Sequence, residues 1–283
     1  MFSERALSTD LSAVRDEHAP GAVVLDCARD FETLPAAQAE DLALVTDAFD
    51  PRSYPAEWLP AEAPELLHRY ASEELTVGAP GDGGVAWTRQ TEPPVVLVKP
   101  RLEGSPDPFV DFLVAEALVQ VGLDRPEHFL GFFGERYRDL ARAVADRLDP
   151  VGTYQLAAAL YTAYLGLHTR EVFAGWDGEQ PGQDARPALH DAWVDAGERL
   201  EPRLADLPSD LAAGSTDFGD AAELACSAVK HTVGQRSTSP RSHAREDGID
   251  LPTPFGALDT AAYREHGADF AVQWAEKTFD RLD

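Results

Sequence analysis

Lysine is nearly missing from this chain of 283 residues, which carries Lys99, Lys230 and Lys277 and leaves arginine to supply most of the positive charge. Asparagine is absent, and Ile249 is the sole isoleucine. Cysteine is limited to two isolated thiols, Cys27 and Cys226, with no CxxC or Cys/His spacing. Two buried free thiols are expected, without a redox pair or a cysteine metal site. The purest apolar run, Phe109 to Leu123, is interrupted by Asp111, Glu116 and Gln120 and is too short and polar to span a bilayer. The N-terminal stretch MFSERALSTDLSAVRDEH lacks the basic and apolar regions of a signal peptide. There is no GxGxxG after a strand, no GxxxxGK[ST], no GxSxG, no HExxH and no acidic calcium loop. No cofactor is therefore expected.

Negative charge is abundant: the formal net charge is −26. High charge often accompanies disorder, but disordered chains are poor in apolar and aromatic residues. Here hydrophobic residues reach 44%, and apolar periodicity recurs along most of the chain, so a folded protein with an acidic surface is expected. Short carboxylates hydrate a surface in concentrated salt, where a Debye length of about 3 Å at about 1 M screens their repulsion. In its scarce lysine and abundant Ala, Val, Asp and Glu, the chain resembles haloarchaeal cytosolic proteins, including families of unknown function. That resemblance implies a cytoplasmic location. The charge opposes binding to nucleic acid or to an anionic membrane.

Periodicity and breakers predict a mainly α (α+β) fold. Helices are expected at 3–18, with Ser3 as N-cap, and from Thr33 to about Phe49, around a strand at Ala22 to Cys27. A short helix in APELLHRYAS precedes three strand candidates at about 75–79, 84–90 and 94–99, which predict a small antiparallel β meander. Beyond Lys99-Pro100, helices are expected at about 106–122, 126–148, 151–175, 186–206, 217–233 and 258–281. This divides the chain into an α+β unit at 1–104 and a helical bundle at 105–283, with a loop at 235–256. The meander is expected to pack on the bundle as one structural unit.

Three places concentrate polar chemistry. On the helix at 151–175, Tyr154, Tyr161, Tyr164, His168 and Glu171 share a sector of about 100°. A His followed three residues later by Glu can poise a base or hold a metal, or it can be a hydrogen-bonded core pair among tyrosines. Glu116 lies beside Phe109, Phe112, Leu113 and Gln120 on a helix that is apolar nearly all round, and it could join His168 and Glu171. The order of VVLVK and then AEALV is similar to the edge strand and active-site helix of a zincin. Ala115 and Val119 stand where both ligand histidines would be, so the resemblance implies no metal. Lastly, no acid occurs between Glu223 and Glu246, where Lys230, His231, Arg236, Arg241, His243 and Arg245 accompany Ser237, Thr238 and Ser239. Arginines and hydroxyls so placed can grip a small anion or an acidic partner, or can pair with the protein's own acidic surface.

The expected function is that of a non-catalytic or regulatory protein acting through protein or small-anion contacts. The rival expectation is an enzyme, a hydrolase, with Glu116, His168 and Glu171 as its acid/base groups and the basic loop as an anion clamp.

Overall fold

The computed structural model describes residues 2–79, 83–179, 184–232 and 249–281. The fold is mainly helical α+β, and the chain divides into two units, residues 1–134 and 135–283.

The first unit opens with β1 (Phe2–Glu4) and α1 (Thr9–His18), so the predicted helix at 3–18 starts later than expected. Ser8 caps it by accepting the Leu11 N–H, and the residues before it pair instead with β2 (Val23–Cys27). Next come α2 (Ala36–Leu42), β3 (Ala48–Phe49), α3 (Glu65–Ala71), β4 (Val85–Thr88), β5 (Thr91–Glu92), β6 (Val95–Val98), α4 (Asp107–Gly122) and α5 (Phe129–Phe133). The main sheet has the order β1-β2-β6-β4. β4 pairs antiparallel with β6, as a meander requires, but β6 also pairs in parallel with β2, so the sheet is mixed. Residues 75–79 form no strand. Their carbonyls serve other partners: Val77 accepts the Leu34 N–H at 2.8 Å, and Thr76 accepts the Gln90 side-chain amide at 3.0 Å.

β6 is buried at every position, which explains its uninterrupted VVLV sequence. Val95 and Leu97 join Leu25, Cys27, Phe31, Leu34, Leu42 and Val77 in one apolar cluster. α4 packs on α1, β4 and β6. The change in composition near Gly104 therefore marks the end of the strands, while the unit itself runs on through α4 and α5.

The second unit is helical: α6 (Tyr137–Val144), α7 (Pro150–Gly175), α8 (Pro187–Ala213), α9 (Phe218–Ala228) and α10 (Ala261–Phe279). The predicted helix at 126–148 is broken into α5 and α6 because Gly134 takes φ 54°, a conformation L side chains rarely adopt. α7 begins at Pro150, where a missing N–H costs nothing, and Asp149 caps it by accepting the Gly152 N–H at 2.7 Å. It packs against α6, α8, α9, α10 and the 3-10 turn Val229–His231, which accounts for its buried residues on nearly every side.

Candidate functional site

The tyrosine face of α7 is a packed layer. Tyr154, Tyr161 and Tyr164 are buried and His168 is half-buried. The Tyr164 ring meets the His168 ring edge-on at a centroid distance of 4.6 Å and packs against Tyr263 of α10 at 5.8 Å. The Tyr263 hydroxyl donates to the Leu160 carbonyl at 2.6 Å, and burial pushes its phenol well above the ordinary value. Glu171, exposed at the end of this face, is paired with Arg264 at 2.6 Å. That guanidinium holds the Glu171 carboxyl below the usual carboxylate range, and His168 adds a smaller contribution in the same direction. A carboxylate so stabilised is a weak proton acceptor. The neighbouring Arg170 donates to the Thr232 hydroxyl at 2.7 Å and forms an ion pair with Asp259.

Glu116 lies half-buried on α4 in the first unit, whereas His168 and Glu171 belong to the second. Gln120 donates to Glu116 at 3.3 Å and accepts the Trp87 indole N–H at 2.8 Å, so a polar chain runs from β4 along α4. The likeness to a zincin fails on topology. VVLVK supplies β6, which lies inside the sheet rather than at its edge. Among the described residues, no group of three or more His, Cys, Asp or Glu side chains could hold a metal ion.

Of the basic stretch, Lys230 and His231 are described; Arg236, Ser237, Arg241, His243 and Arg245 lie outside the described residues. The Lys230 carbonyl accepts the Trp193 indole N–H at 3.0 Å. His231 is buried and stacks on Trp193 at 6.0 Å. Burial, with the nearby Lys230 charge, pushes its imidazole down to about 3. His231 is therefore neutral near pH 7 and brings no positive charge to an anion.

A further polar cluster, around Glu127 in the first unit, was not singled out by the sequence. Its carboxylate accepts the Arg89 backbone N–H and the Gln90 side-chain amide, each at 2.8 Å, and also a hydrogen bond from the Thr88 side chain. Burial raises this carboxyl above its usual range, while these bonds and the Arg89 charge pull it back. The Arg89 guanidinium donates to the carbonyls of Leu123, at 2.9 Å, and Arg125, and lies over the Trp87 ring. Burial and the charge of Glu127 push the Tyr54 phenol up to about 12. His128 accepts the Leu130 N–H at Nδ1 and stacks on Tyr70 at 3.9 Å; burial pushes it down to about 3. The arrangement fastens the β4–β5 turn to the connection between α4 and α5.

Residues 1–282 match the model of the family of unknown function DUF7089. The chain belongs to that family. No curated protein and no solved structure matches it. Membership covers both units and assigns no chemistry to either cluster. Among the described residues, no helix is long and apolar enough to cross a membrane.

The Glu127 cluster left only a faint trace in the sequence. Pro126 reads as a helix start, and Thr88-Arg89-Gln90 reads as the end of a strand. What joins them is a bond between residues 37 positions apart, and no local periodicity reports that.

Proposed function

We propose that this member of DUF7089 is a non-catalytic or regulatory protein of a salt-rich cytoplasm, acting through contacts with a protein partner or a small anion. The observation that carries this reading is how the groups needed for hydrolysis are occupied. Glu171 is neutralised by Arg264, Glu116 is bonded to Gln120, and the His168 ring packs edge-on against Tyr164. Side chains so engaged stabilise a fold more readily than they move protons. Charge and composition support the cytoplasmic, haloarchaeal part of the proposal: −26 net charge with three lysines suits a surface hydrated in concentrated salt. The acid-free polar sequence between Glu223 and Glu246 supports contact with an anion or an acidic partner.

The test is a metal analysis combined with a metabolite thermal-shift and turnover screen, on protein purified in concentrated KCl without added metal. The proposal expects no stoichiometric metal and no turnover. Metal bound one-to-one and lost in His168→Gln would overturn it in favour of a hydrolase.

A further inference from the structure

We draw no further inference here: the strongest candidate, the side-chain cluster between the β4–β5 turn and the α4–α5 connection, where Arg89 Nε and His128 Nε2 are buried without a hydrogen-bond partner among the described residues, belongs to the joint already described, and nothing in the structure shows that these two nitrogens face one space or what would fill it.

Discussion

Gln90 and Glu127 meet side chain to side chain, the Gln90 amide donating to the Glu127 carboxylate at 2.8 Å. The same amide donates to the Thr76 carbonyl at 3.0 Å, and the Gln90 side-chain oxygen accepts the Arg52 N–H at 3.0 Å. One glutamine thus ties together four separate segments of the first unit. Gln90→Leu should destabilise the protein by about 1–3 kcal/mol, because it leaves buried partners unpaired. Urea unfolding would measure this, and a loss below the error of the midpoint would show that water replaces the bonds freely.

Glu127 also predicts a pH dependence. Its folded-state carboxyl lies above the usual value of 4.5 because burial disfavours the charge. A raised carboxyl makes its stabilising contribution below the unfolded value and loses it as pH rises through the folded value. Melting temperatures of native protein and Glu127→Gln, compared in concentrated salt between about pH 4.5 and about pH 7, should therefore diverge in one direction. The native protein should gain on the variant as pH falls. A constant difference would mean the carboxyl titrates normally.

Arg170 should act as a pin. It engages Thr232 and Asp259, which lie on either side of residues 233–248 in the chain. Arg170→Met removes both bonds from a largely buried position and should cost about 2–4 kcal/mol. Hydrogen exchange should quicken at 229–232 and 255–260 before it quickens elsewhere. Exchange unchanged at those residues would rule out the pinning role.

Gly166 lets the chain at Lys230 approach α7. A Cβ there would lie 2.9 Å from the Lys230 backbone nitrogen. Gly166→Ala must therefore displace backbone and should cost about 1–3 kcal/mol, although alanine favours helix. A more stable alanine variant would show that the turn yields freely.

His168→Gln and Glu171→Gln should behave as weakly coupled packing and surface changes, since His168 makes only a smaller contribution to holding Glu171 ionised. The first loses an edge-on ring contact worth about 0.5–1.5 kcal/mol, and the second an exposed ion pair worth about 0–1 kcal/mol. Thermal melts of the single and double variants should add. Strong non-additivity, or a shared loss of bound metal, would return the pair to a common functional role.

Salt should stabilise the whole protein. With −26 net charge, melting temperature should climb from about 0.1 M to about 3 M KCl as repulsion is screened. A flat profile would count against salt adaptation.

Local chemistry by itself determined the mainly helical α+β class, the long helix at about 151–175 and the two free cysteines. Each follows from periodicity, a cap or a count that a short window of residues contains. The helix expected at 3–18 begins only at Thr9 because strand pairing of Phe2–Glu4 with β2, a tertiary contact, outweighed local helical pattern. The parallel pairing of β2 with β6 was invisible for the same reason: it joins segments some seventy residues apart. His168 and Glu171 were legible as one helical face, yet Arg264, which pairs with Glu171, and Tyr263, which packs on Tyr164, come from α10, which only folding brings against α7. Glu127, Gln90 and Arg52 carry no shared periodicity, so their joint exists only in the tertiary structure. Sequence fixes what a residue can do within one turn or one strand. Which charge meets which, and hence which carboxylate is neutralised and which is desolvated, is decided by long-range packing.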